Sequence, residues 1–96
     1  MLQQEINKII IDCLMPYNPV KIGIFGSRAR RDNRENSDLD ILYNFKGSFT
    51  LFDLAGIYSD LEEKLGMKVD LTNEHRIKKE FKEFILNDIL IIYEKR

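Results

Sequence analysis

Two aspartates, Asp38 and Asp40, lie one residue apart in the stretch Asp-Leu-Asp-Ile-Leu-Tyr-Asn-Phe, which otherwise reads as a hydrophobic strand. Side chains at i and i+2 of a strand point to one face. The two carboxylates therefore project together, with Cα atoms about 6–7 Å apart at strand rise. Leu39, Ile41, Tyr43 and Phe45 take the other face, where they can pack a core. Carboxylates this close repel each other unless a cation lies between them. A hard divalent ion such as Mg²⁺ prefers one or two carboxylates together with phosphate oxygens and water. Asp70, between Val69 and Leu71, is a third acid in an apolar strand. Three strand acids meeting at one point could hold two metal ions about 3.5–4 Å apart, the arrangement used for in-line phosphoryl transfer. An Asp-x-Asp pair alone is common on half-exposed strands, so its weight here comes from the segment upstream.

That segment is Phe-Gly-Ser-Arg-Ala-Arg-Arg, beginning at Phe25. Glycine at the end of a strand lets backbone come close to a ligand. A helical turn after Gly26-Ser27 would offer free N–H groups to an anion, and the Ser27 hydroxyl adds another donor. Arg28, Arg30, Arg31 and Arg34 place positive charge nearby. One side of such a site would bind phosphate and the other the metal ions that neutralise it, with a triphosphate bridging the two. Taken alone, Gly26-Ser27 is equally an ordinary β-turn followed by a solvated basic loop.

The elements that position these groups follow from hydrophobic period. Leu2, Ile6, Ile9, Ile10, Cys13 and Leu14 fall at helical spacing, and Pro16 closes that helix. Val20–Phe25 is a short apolar run rich in β-branched residues and reads as a strand. The acidic stretch up to Phe45 forms a second strand, broken at Lys46-Gly47-Ser48. Leu51, Leu54, Tyr58, Leu61 and Leu65 make a helical stripe, with Thr50 and Asp53 set to cap its start and Gly66 its end. Met67–Thr72 reads as a third strand. Ile77, Phe81, Phe84 and Ile85 mark another helical face, from near Asn73 to near Asn87, and Ile89–Tyr93 reads as a buried fourth strand. Helices alternating with strands around a small mixed sheet give an α/β (α+β) chain.

Bulk properties narrow the function. The 96 residues suit one domain spanning 1–96. Charged residues make up 32% of the chain with a formal net charge of −1, which argues against bulk nucleic-acid binding. Cys13 is the single cysteine, so no internal disulfide or cysteine zinc site is expected, and a reducing, cytoplasmic setting is the simplest reading. The N-terminal residues lack a signal-peptide pattern, and no apolar run nears the roughly 18 residues of a spanning helix, so no membrane partner is expected.

The stretch Gly-Ser-Arg-Ala-Arg-Arg-Asp-Asn-Arg-Glu-Asn-Ser-Asp-Leu-Asp-Ile, Gly26 to Ile41, resembles the signature of the nucleotidyltransferase superfamily related to DNA polymerase β. Gly-Ser is followed after about ten residues by Asp-x-Asp and an apolar residue. The opening and close resemble most the minimal nucleotidyltransferase (MNT) proteins, stand-alone chains of about this length that are often antitoxins paired with a HEPN-family toxin. The likeness runs along the whole chain in order. One departure is Arg31, where family members often carry glycine; it alters the loop and leaves the acids in place.

This resemblance implies a nucleotidyltransferase fold and transfer of AMP from ATP to a hydroxyl. Asp38 and Asp40 would hold two Mg²⁺ ions, and Asp70 the one that activates the acceptor. Gly26 and Ser27 would grip the β- and γ-phosphates, with Arg30 assisting and Ser37 on the nucleotide side. The acceptor implied is a tyrosine of a HEPN-type toxin, silenced by the modification, with homo- or hetero-oligomers open. The alternatives are transfer to a small-molecule hydroxyl, as in aminoglycoside nucleotidyltransferases, and an antitoxin that acts by binding alone.

Other features carry less. The turn lacks Gly-x-Gly-x-x-Gly spacing and the chain lacks a P-loop lysine motif. His75 is expected to be solvated near a helix start, Cys13 to join the core, and Lys78, Lys79 and Lys82 to form a solvated face. Tyr17, beside two prolines, is a candidate surface anchor.

Overall fold

A computed structural model of the chain describes residues 1–30 and 38–96. The elements in order are α1 (Gln3–Leu14), a 3-10 turn (Met15–Tyr17), β1 (Pro19–Phe25), α2 (Ser27–Arg30), β2 (Leu39–Phe45), α3 (Leu51–Leu65), β3 (Val69–Asn73), a second 3-10 turn (Glu74–Arg76), α4 (Lys79–Asp88) and β4 (Leu90–Glu94). The strands form one sheet in the order β3-β2-β1-β4. β1 pairs antiparallel with β2 and β4, and β2 pairs parallel with β3. Among the described residues no helix is long and apolar enough to cross a membrane.

The helical stripes read from the sequence build the core in part: Leu2 and Leu51 at their starts are 61% and 82% exposed, Leu54 and Tyr58 are only partly buried, and Ile57, outside the expected α3 stripe, is buried instead. Ile6, Ile10 and Leu14 of α1 and Ile57, Leu61 and Leu65 of α3 bury against Ile22, Ile24, Leu39, Ile41, Tyr43, Phe45 and Val69 of the sheet. Burying each such side chain contributes about 1.5–3 kcal/mol. Because strand side chains alternate, this packing also fixes register: a one-residue slip would put β2's apolar set outside and its acids inside. α3 starts at a capping box, with Thr50 N–H donating to Asp53 (2.8 Å) and Asp53 N–H to the Thr50 hydroxyl (3.1 Å). It ends at Gly66, whose φ of 67° is a left-handed C-cap.

Three expectations need correction. The helix expected from near Asn73 does not start there. Asn73 closes β3, and its side chain accepts from His75 N–H (3.0 Å), starting the second 3-10 turn instead. Ile77 precedes α4, and Phe81 and Phe84 are 57% and 78% exposed, so that apolar face does not join the core. β4 is an edge strand, with Leu90 and Ile91 51% and 44% exposed, while Ile92 and Tyr93 pack against the core. A continuous apolar run signals a strand without saying whether it lies inside the sheet or at its border. Tyr17, rather than standing off as an anchor, stacks on Phe45 at 5.6 Å between ring centroids. Cys13 packs at the margin of the core, half-buried, and burial pushes its thiol pKa up.

The other edge, β3, is closed by α3. Val69 N–H donates to Glu62 Oε2 (3.0 Å). Leu71 N–H donates to the Tyr58 hydroxyl (3.0 Å), which in turn donates to the Leu71 carbonyl (3.4 Å). Tyr58→Phe should therefore lose about 1–2 kcal/mol, the cost of stranding a part-buried backbone pair, and lower Tm by about 4–8 °C per kcal/mol. Thermal denaturation checks this, and an unchanged Tm would mean the edge is not held by that hydroxyl.

Candidate active site

Parallel pairing of β2 with β3 sets Asp40 directly opposite Asp70. Neighbouring strands lie about 4.8 Å apart, and cross-strand partners share a face, so these two acids stand side by side. Asp38 immediately precedes β2, two residues from Asp40. Leu39 N–H bonds the Lys68 carbonyl (3.0 Å), which fixes the mouth of the strand pair between Asp38 and Asp40. The two α3 contacts to β3 fall at Val69 and Leu71, on either side of Asp70. The helix that seals the edge thus also holds the third acid in place.

Gly26 completes this corner from β1. Phe25 is the register partner of Asp40, and the chain turns at Gly26 with φ of 76°, a left-handed conformation that favours glycine. A Cβ at Gly26 would run into the Asp40 carboxylate. The turn and the acid are therefore in direct juxtaposition, and Ser27 follows at the start of α2. Arg30 N–H closes that turn on the Gly26 carbonyl (3.2 Å).

Asp40 is half-buried, whereas Asp38 and Asp70 are exposed. Burial pushes the Asp40 pKa up, the neighbouring Asp70 and Asp38 charges push it further, and the Arg30 guanidinium opposes them. Among the described residues, no three Asp, Glu, His or Cys side chains form a ready-made metal cage. The donors are instead an adjacent carboxylate pair, Asp40 and Asp70, with Asp38 beside them at the strand mouth. These hard oxygen donors fit Mg²⁺, which takes one or two carboxylates and completes its shell with phosphate oxygens and water. The close approach of Gly26 to Asp40 brings the backbone of the turn next to these donors.

The structure thus brings together Gly26, Ser27, Arg30, Asp38, Asp40 and Asp70 from four segments. Ser37, Arg31 and Arg34, also singled out in the sequence, lie outside the described residues.

Sequence reasoning missed two groups. Asp88, the last residue of α4, pairs with Arg30 (Oδ2 to Nη1, 3.2 Å). The signal was available, because an acid at a helix C-terminus opposes the macrodipole and calls for a reason. The second group lies farther along the same sheet face. Lys21 Nζ and Asn44 Nδ2 each donate to Glu74 (2.9 Å), and His75 Nε2 contacts Asn44 Oδ1 at 3.0 Å. His75 is exposed as expected, yet tied down. Burial pushes the Glu74 pKa up, but the Lys21 and Asn44 hydrogen bonds outweigh it and hold that carboxyl below its ordinary value. No pattern in the sequence links Lys21 to Glu74.

Two predictions follow from this corner. Asp40's native pKa is raised, so its ionised form costs stability above that pKa, and the cost vanishes once both states are protonated. Asp40→Asn should therefore raise Tm at neutral pH, with the gain fading as pH falls through the raised native pKa and gone below about 4; a lower Tm at pH 7 would contradict it. Gly26→Ala should lose about 1–3 kcal/mol through positive φ and the clash with Asp40, read by urea denaturation, and combining it with Asp40→Ala should recover part of that loss.

Comparison with known proteins adds to this geometry. A family model described as "Polymerase beta, Nucleotidyltransferase" matches residues 7–96. A candidate protein adenylyltransferase of Methanocaldococcus jannaschii is 39% identical over 84 residues, covering 88% of this chain and 90% of that protein. A structure described as a candidate minimal nucleotidyltransferase superposes with a TM-score of 0.79 at 31% identity, covering 91% of this chain and 89% of the other. A chain in the complex of a tri-AMPylated Shewanella oneidensis HEPN toxin with an MNT antitoxin shares the fold, with a TM-score of 0.77 at 18% identity over 98% of this chain and 74% of that one.

Proposed function

The chain belongs to the polymerase β nucleotidyltransferase family, and on that premise we propose that it transfers AMP from ATP to a tyrosine hydroxyl of a HEPN-type toxin, acting in the cytoplasm as an antitoxin. The observation that carries this reading is the Asp40–Asp70 pair set against Gly26. Asp40, pushed up in pKa by burial and by the neighbouring Asp70 and Asp38 charges and set against a glycine turn, suits a cation better than it suits stability. The relative named as a protein adenylyltransferase and the fold shared with an MNT antitoxin support the choice of acceptor.

In this reading residues 1–96 are one minimal domain. Asp38 and Asp40 would hold two Mg²⁺ ions, and Asp70 the one nearer the acceptor. Bound Mg²⁺ supplies charge neutralisation on the phosphates and lowers the pKa of the attacking hydroxyl. Gly26 and Ser27 grip the β- and γ-phosphates through the backbone and the serine hydroxyl, Ser37 would bind the nucleotide as the family resemblance implies, and Arg30 balances the charge that builds on the leaving group. Asp70 takes the acceptor's proton. The acceptor oxygen bonds to the α-phosphorus, the bond to the bridging oxygen of the β-phosphate breaks, and pyrophosphate departs. Most of the acceleration is positioning and fixed charge.

The test is incubation with α-labelled ATP, Mg²⁺ and the product of the neighbouring gene. Label should appear on that partner, and Asp38→Asn, Asp40→Asn or Asp70→Asn should each lower the rate at least about a hundredfold with the fold intact by circular dichroism. Label on an aminoglycoside instead would move the acceptor to small molecules. Full neutralisation of the partner by an Asp38/Asp40 double variant would make the protein an antitoxin by contact alone.

A further inference from the structure

We propose that Asp88 is a positioning residue of the nucleotide site: it holds the Arg30 guanidinium off the acid cluster and turned toward where phosphate would lie. This rests on the nucleotidyltransferase reading above and adds a residue to it from the last helix of the domain.

Two sets of acids compete for the Arg30 guanidinium. Arg30 lies one turn beyond Gly26, its backbone N–H bonded to the Gly26 carbonyl, and its charge is close enough to Asp40 to favour that carboxylate. A guanidinium beside Asp38, Asp40 and Asp70 would be expected to settle on them as a counter-ion, since a bidentate carboxylate contact is its preferred geometry. It would then occupy the oxygens a cation needs and be lost to the phosphates. Instead its Nη1 lies 3.2 Å from Asp88 Oδ2, fifty-eight residues away in the chain.

Asp88 itself sits poorly for helix stability. It is the final residue of α4, where the macrodipole is negative and a cation is favoured, and no basic residue lies in that last turn. An acid there disfavours the helix end, and Arg30 is the group it engages. Both side chains are part-exposed, 47% and 34%, so the pair contributes little to folding and its value lies in orientation. A planar fork held along one edge is pre-aimed, which removes ordering cost when an anion arrives.

The experiment measures binding of α,β-methylene ATP, whose α–β linkage resists transfer, in the presence of Mg²⁺ by calorimetry, with Tm of each variant as control. Asp88→Asn should weaken binding roughly tenfold with Tm nearly unchanged, and Asp88→Glu should recover most of the loss. In an Arg30→Ala background Asp88→Asn should have no further effect, because the two act as one unit. Equal or tighter binding by Asp88→Asn, or additive losses in the double variant, would overturn the assignment while leaving the nucleotide site standing. No binding by the natural protein would overturn the site and this inference together.

Discussion

The fold holds two like charges next to each other. Parallel register between β2 and β3 forces Asp40 and Asp70 into adjacent positions on one face, and nothing in the apolar packing rewards that placement. What enforces it is the opposite face of the same strands. Leu39, Ile41, Tyr43 and Val69 are buried under α1 and α3, and no slip of register can relieve the acids without exposing that set. The buried apolar face thus holds the two acids side by side against their repulsion. Glu62 and Tyr58 reinforce the arrangement by bonding backbone on both sides of Asp70, so the helix that closes the sheet edge also aims the acid.

The two ends of the acid face differ in how they treat charge. At the strand mouth Asp40 is strained upward in pKa and lies against a glycine. Farther along, the Glu74 carboxylate is satisfied by Lys21 and Asn44 and held down in pKa. One end is a finished structural polar cluster and the other is left wanting a cation. That contrast within one sheet face, between acids of the same chemical kind, supports the proposed placement of the cation at the strand mouth. The edges show a similar asymmetry. β3 is sealed by α3, whereas β4 and the α4 face beside it leave Phe84, Leu90 and Ile91 open.

Much of this was legible in the residues, for identifiable reasons. The α1 and α3 stripes follow a strict helical period, the Thr50–Asp53 box and Gly66 cap are local chemistry, and the acids share a face by strand alternation. These depend on neighbours within a few positions. The juxtaposition of Gly26 with Asp40 and the family signature are also near in sequence, although Ser37 and the arginines between them lie outside the described residues. The failures are long-range. Whether Ile89–Tyr93 lay inside the sheet depended on which side of β1 was still open, and the α4 stripe could not say what it would face. Asp88 and Glu74 act on partners more than fifty residues away, Arg30 and Lys21, and nothing local in their surroundings encodes such distances.

The most direct test is a crystal structure of the protein grown with Mn²⁺ and α,β-methylene ATP, read by the anomalous signal of the metal. The account predicts manganese within about 2.0–2.3 Å of carboxylate oxygens from Asp38 and Asp40, with Asp70 facing the same ion cluster and the β- and γ-phosphates resting on Gly26 and Ser27. Nucleotide bound elsewhere on the molecule, or manganese with no carboxylate from this trio, would contradict it.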